Sequence, residues 1–205
     1  MARKYARLPS GKIKYYWIGR DSSWIQTDQV DGVHGVRKWL LDIIPDKESI
    51  LDIGCGPGHV SEIFRLAGRE NNYLGVDNDA SIIEYAQTLF PQAKFDCYDA
   101  NFLSYRNNSF DNCILFTVVE AMADFRKPIE EAVRVARKRV IITTFVSLVD
   151  TPDRNGYIVN NLSDYVVSIN KKRFLNHISQ FGTVTSGILQ KNGKIEYWWW
   201  IIGKK

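Results

Sequence analysis

The chain has little of what marks a secreted, metal-bound or membrane-spanning protein. It contains three cysteines in 205 residues, at positions 55, 97 and 113, with no Cys-x-x-Cys pair. That spacing argues against a disulfide framework or a zinc site and suits a reducing compartment, so the expected location is cytoplasmic. Only three histidines are present, His34, His59 and His177, and no metal is expected. No apolar run approaches the ~20 residues of a membrane span. The charged N-terminus carries no apolar core of a signal peptide. No repeat, low-complexity tract or linker divides the chain, so residues 1–205 read as a single domain. The net charge of +4 permits an anionic partner without requiring one.

What is present centres on Leu51-Asp52-Ile53-Gly54-Cys55-Gly56-Pro57-Gly58. Residues 49–53 read as a buried strand, and the three glycines as a tight turn. Helical spacing of Val60, Ile63, Phe64 and Ala67 follows, with a stop at Gly68. A turn without Cβ atoms lets backbone N–H groups approach a ligand at the positive end of a helix. This is the plan of a nucleotide-type cofactor site at the carboxyl edge of a parallel sheet. The glycine spacing is G-x-G-x-G, not the G-x-G-x-x-G of dinucleotide sites. A second strand over 73–76 ends in Asp77, about twenty residues on, where a ribose-binding carboxylate is expected.

Short strands then alternate with helices. Asp79 is a helix N-cap before the face of Ile82, Ile83, Ala86, Leu89 and Phe90. Strands are expected over 94–98, 112–117 and 139–144, with a helix between the last two carrying Ile129, Ala132, Val133 and Ala136 inward. Asp111 reads as structural, and Cys97 and Cys113 as core. Residues 147–168 follow no period and form either an acceptor-binding loop or a long connection. Asn170 caps a further helix, and Asn192-Gly193 joins two apolar strands as a hairpin. The second of these holds Trp198-Trp199-Trp200, apolar on both faces and suited to burial between helix layers. His177 is expected at the surface. The whole is an α/β pattern with a mostly parallel sheet.

The chain resembles the class I S-adenosylmethionine-dependent methyltransferases. The resemblance rests on Leu51–Gly58, Gly75-Val76-Asp77, Tyr98-Asp99-Ala100-Asn101, and Ser109-Phe110-Asp111 running on to Glu120 and Asp124. It implies a Rossmann-like, doubly wound, seven-stranded sheet with a C-terminal antiparallel hairpin. It also implies an N-terminal arm and cap over 1–44, a cofactor-binding core over 45–145, and an acceptor loop, helix and hairpin over 146–205. S-adenosylmethionine is the implied cofactor. Its carboxylate would meet the N–H groups of Gly54, Cys55, Gly56 and Gly58, with Asp52 helping at the methionine end. Its ribose would meet Asp77. Its adenine would meet Asp99, Ala100 and Asn101, with Asn78 possible at the ring edge, and Thr117 would line the floor near the methyl.

Methyl transfer from a sulfonium is an in-line displacement in which proximity and orientation supply much of the rate. A base is needed only where the acceptor must lose a proton, and the candidates are Glu120, His34 and His59. The favoured acceptor is a small molecule. Residues 1–20 carry six Lys or Arg and no acid, with Tyr5, Tyr15, Tyr16 and Trp17 interleaved. They read as a tail packing as a lid, or as an arm for RNA. An RNA or tRNA methyltransferase and a non-catalytic cofactor-binding subunit are the alternatives. The oligomeric state is not legible.

Overall fold

A computed structural model of the chain describes residues 4–7, 13–16, 39–119, 122, 124–147, 169–192 and 195–204. Thr117 and its neighbours are within this set. His34, Glu120, most of the basic arm and the 148–168 loop lie outside it, as does the Gly193 half of the expected hairpin turn.

Ten strands and five helices are described. β1 (Lys4–Arg7) and β2 (Ile13–Tyr16) form a two-stranded antiparallel sheet of their own, with Lys4 opposite Tyr16. The basic arm thus contains a hairpin that was not expected.

The main sheet is built from β3 (Ile50–Ile53), β4 (Tyr73–Asp77), β5 (Lys94–Cys97), β6 (Phe110–Phe116), β7 (Ala136–Ser147), β9 (Thr183–Asn192) and β10 (Ile195–Gly203). They run in the order β5-β4-β3-β6-β7-β10-β9, with the two-residue β8 (Ile169–Asn170) pairing on β7. The first five in that order are parallel, and β10 is antiparallel to both β7 and β9. This is the doubly wound, seven-stranded arrangement with a terminal antiparallel pair that the resemblance implied.

Alternation along the strands explains why helices cover both faces. Leu51, Ile53, Cys113, Leu115, Val140, Ile142, Trp198 and Trp200 pack on one side with Ile129 and Ala132 of α4 (Arg126–Val135) and Phe174 and Ile178 of α5 (Lys171–Ile178). Ile50, Ile114, Ile141 and Tyr197 pack on the other. There they meet Leu40 of α1 (Leu40–Ile43), Val60 and Phe64 of α2 (His59–Leu66), and Ile83 and Ala86 of α3 (Ala80–Leu89). β3 is buried on both faces and is apolar except for Asp52, whose carboxylate accepts from the Tyr73 hydroxyl.

The helix caps fall where expected. Asp79 accepts from Ser81 N–H at 2.9 Å, and Asn170 from Arg173 N–H at 3.0 Å. Gly68 ends the turn after α2 at φ +67°.

Three expectations need correction. β7 is a twelve-residue strand that starts at Ala136, directly after α4, because β10 pairs with it from Arg139 to Ser147 and prolongs it beyond 139–144. Cys97 is exposed rather than core, since it ends β5 at the sheet edge; Cys113, on central β6, is buried as expected. His177 is not a free surface residue. Its ring packs edge-on against Phe125 and Phe181 at 6.0 and 5.3 Å, and burial lowers its pKa.

Candidate functional site

The sheet reverses its winding between β3 and β6, and a crevice opens at such a switch point beyond the carboxyl ends of the strands. The glycine turn leaves β3 there. Gly54, Gly56 and Gly58 all have left-handed φ, at +71°, +54° and +83°, a region that L side chains enter only at a cost. Their surroundings differ. A Cβ on Gly54 would collide with the side chain of Val118, and one on Gly58 would lie 2.5 Å from Phe95 Cζ. A Cβ on Gly56 would meet nothing within 4 Å. Two glycines therefore permit close packing, and the middle one leaves open space above the turn.

The N–H groups of this turn are engaged within the fold. Gly54 and Cys55 donate to the Val76 carbonyl at 2.7 and 2.9 Å, and Gly58 to Cys55 at 3.1 Å. Gly56 donates to Asp77 Oδ2 at 3.2 Å. Pro57 has no N–H to give. Each of these four N–H groups thus has an acceptor within the protein. The turn offers close approach, while its donors lock it to β4. Hydrogen-bond demand explains this, since a buried N–H takes whatever carbonyl the neighbouring strand presents.

Asp77 is aimed by two backbone donors, Gly56 N–H and Asp79 N–H at 3.1 Å. It joins the tip of β4 to the turn after β3, which brings two predicted site elements into direct contact. Asp52 is 1% exposed and accepts from the Tyr73 hydroxyl at 2.7 Å. Cys55 is partly buried, donates to the Gly56 carbonyl, and lies near Asp52 and Asp77. Burial first, and those two carboxylates second, push its thiol pKa well up. It is a filler of the loop and not a nucleophile.

Beyond β5, Asp99 is exposed and caps its own turn, accepting from the backbone and side-chain nitrogens of Asn101 at 2.8 and 2.7 Å. These bonds cap the turn and leave the Asp99 carboxylate at the carboxyl edge. Ala100 is half-buried and Asn78 is exposed after β4. Tyr98 N–H bonds the Asp77 carbonyl at 3.0 Å, which holds the β5 exit beside β4. Asp99, Asp77, the glycine turn and Thr117 thus follow the tips of four adjacent strands. Three strand spacings make this edge about 14 Å long.

Thr117 follows β6 with φ +57°. A β-branched residue in that region stores roughly 1–3 kcal/mol of strain, which the surrounding structure must hold. It is held by hydroxyls from distant strands. Thr117 N–H donates to Thr143 Oγ1 at 3.0 Å, and Thr117 Oγ1 lies 2.6 Å from the Tyr197 hydroxyl. Tyr197 and Thr143 were missed in the sequence. They stand on β10 and β7, and no local spacing links either to Thr117. His59 opens α2 and is 5% exposed, with its ring edge-on to Phe90 at 5.8 Å. Its packing is that of a core residue.

Two further facts bound the chemistry. Among the described residues no group of three His, Cys, Asp or Glu side chains could hold a metal ion. No helix among them is long and apolar enough to cross a membrane.

Comparison with known proteins agrees with this geometry. Residues 51–143 match the methyltransferase domain family. Among curated proteins, the chain is similar to 2-methyl-6-phytyl-1,4-hydroquinone methyltransferase of Synechocystis sp., at 31% identity over 49% of this chain and 36% of that protein. Among solved structures it is similar to the PH0226 protein of Pyrococcus horikoshii OT3, with a TM-score of 0.70 at 18% identity, covering 88% of this chain and 93% of that one. It is also similar to a SAM-dependent methyltransferase of Methanosarcina mazei, with a TM-score of 0.64 at 19% identity, covering 81% and 96%. At such identities the structural likeness establishes the fold. The chain spans well under half the length of the first curated relatives it matches. The fold is the α/β arrangement of these solved structures, and residues 51–143 match a methyltransferase domain.

Proposed function

We propose that this protein transfers the methyl group of S-adenosylmethionine to a small-molecule acceptor by in-line displacement. The observation that carries the reading is the glycine turn tied to Asp77, with open space over Gly56 alone. The residues fit the cofactor. A chain-like nucleoside can lie along the strand tips, with its ribose at Asp77 and adenine at Asp99, Ala100 and Asn101. Its methionine end then lies against Gly54, Cys55, Gly56, Gly58, Asp52 and Thr117. Bound there, the cofactor supplies an electrophilic methyl on a sulfonium leaving group. The chain's own residues orient it and exclude water from the crevice between β3 and β6.

A non-polymeric acceptor is supported by the curated relative named for 2-methyl-6-phytyl-1,4-hydroquinone, a quinol and not a nucleic acid. His59 is packed as core, so it is not the base in this reading. Orientation then carries the rate, and an acceptor that is a good nucleophile at neutral pH suits the site. Residues 147–168, which read in the sequence as an acceptor-binding loop or a long connection, take the first of these roles in this reading. The test is calorimetry with S-adenosylmethionine, followed by transfer of labelled methyl to a panel of phenols, quinols, carboxylates and amines, with tRNA as the competing arm. Transfer to tRNA alone, falling steeply with salt, would replace the small-molecule reading.

A further inference from the structure

The hydroxyls of Thr117, Thr143 and Tyr197 form one cluster at the carboxyl edge of the sheet. A threonine or tyrosine hydroxyl has one proton to give and two lone pairs. Tyr197 gives its proton to Thr143 Oγ1 at 2.7 Å. Thr143 Oγ1 also takes the Thr117 N–H at 3.0 Å. With the Tyr197 proton already placed, the 2.6 Å contact between Tyr197 and Thr117 must use the Thr117 proton. Thr117 Oγ1 also lies 3.4 Å from Thr143 Oγ1, which can give it a proton; with its own proton on Tyr197, Thr117 Oγ1 keeps a lone pair and has no proton to offer.

Tyr197 and Thr143 are 2% and 0% exposed, while Thr117 is half-buried and is the member that reaches the surface. Its neighbour Val118 packs against Gly54 of the glycine turn. An oxygen restricted to accepting therefore stands beside the turn, between β3 and β6. Such an oxygen attracts a positive centre and repels another lone pair.

We propose that Tyr197 is a positioning residue which, by taking the Thr117 proton, fixes Thr117 as an acceptor for the cationic end of the cofactor and so favours the sulfonium of S-adenosylmethionine over the neutral thioether of S-adenosylhomocysteine. The inference rests on the assignment of this crevice to S-adenosylmethionine. It gives a reason for Tyr197 to sit on an antiparallel strand and yet reach the tip of β6. Substrate would be held and product released through one hydroxyl whose orientation is set from below.

The test is calorimetric titration of wild type, Tyr197→Phe and Thr117→Val with both compounds, read as the ratio of the two affinities. Each variant should shift that ratio against S-adenosylmethionine by about tenfold, the loss expected for one hydrogen bond of this kind. The double variant should shift it no further, because both changes remove one interaction. Thr117→Ser, which keeps the hydroxyl, should retain the wild-type ratio. Should Tyr197→Phe fail to fold, Thr143→Val removes the acceptor of the Tyr197 proton and carries the same expectation. An unchanged ratio, or equal weakening of both compounds, overturns the proposal while leaving the cofactor assignment intact. Wild type that binds neither compound overturns the cofactor assignment and this inference together.

Discussion

Gly56→Ala and Gly58→Ala are the same chemical change two residues apart, and they should fail in different ways. Both positions have left-handed φ, so each alanine costs about 1–2 kcal/mol of backbone strain. At position 56 the new methyl meets nothing within 4 Å, and strain is the whole penalty. For a chain of this size, about 1–2 kcal/mol lowers Tm by roughly 2–8 °C. At position 58 the methyl would lie 2.5 Å from the Phe95 ring. Overpacking adds about 1–3 kcal/mol, so the total of about 2–5 kcal/mol lowers Tm by roughly 4–20 °C. Ligand affinity should follow the reverse order. The Gly56→Ala methyl occupies the open space over the turn, and a crowding penalty of about 1–3 kcal/mol there weakens S-adenosylmethionine by about 5-fold to 150-fold. The Gly58→Ala methyl faces the core and should leave affinity near wild type wherever the protein remains folded. Thermal melting and calorimetry on the two variants check both halves. Wild-type affinity in Gly56→Ala, or a larger Tm loss there than in Gly58→Ala, would refute the division of the turn into packing and ligand-facing glycines.

Asp77→Asn should weaken S-adenosylmethionine by about tenfold or more, the worth of a charge-assisted hydrogen bond, as measured by calorimetry; Asp77→Ala should also lower Tm, because Gly56 N–H and Asp79 N–H lose their acceptor. Burial pushes the Asp111 carboxyl up, but Ser49, Lys138 and Arg137 outweigh it and hold the pKa at about 2. A folded pKa below the ordinary carboxylate value contributes stability above about pH 4 that is lost as pH falls towards 2. Tm of wild type should decline through that window, and Asp111→Asn should start lower at neutral pH and decline less. Trp200 is 0% exposed and lies against Phe174 and Trp198 at 5.3 and 5.2 Å, so Trp200→Ala should cost about 3–5 kcal/mol in denaturant unfolding, whereas a loss below about 1 kcal/mol would deny the strand its central place in the core.

The charged cluster at the opposite edge of the sheet belongs to stability and not to the site. Lys138 bonds Glu48 at 2.8 Å and lies 3.1 Å from Asp111, and Arg139 bonds Glu48 at 2.8 Å. These bonds tie the start of β7 to the chain ends before β3 and β6. The Arg137-Lys138-Arg139 run is thus absorbed by acids of the fold.

The parts of the protein that follow from neighbours in the chain were readable in advance. Glycine spacing, apolar alternation and capping residues act over a few positions, and the turn at 54–58, the strand ending in Asp77 and the caps at Asp79 and Asn170 came out as expected. Asp111 was readable as the start of a strand, but the bonds that make it structural reach Ser49, which only the sheet places beside it. What could not be read depends on which strands become neighbours. Cys97 is exposed because β5 is an edge, and the turn's N–H groups are occupied because Val76 and Asp77 lie alongside. Tyr197 meets Thr117 across eighty positions only once β10 has threaded antiparallel beside β7. Periodicity reports which face of an element is apolar, and it is silent about which partner that face will find, so register and long-range contact enter only with the assembled sheet.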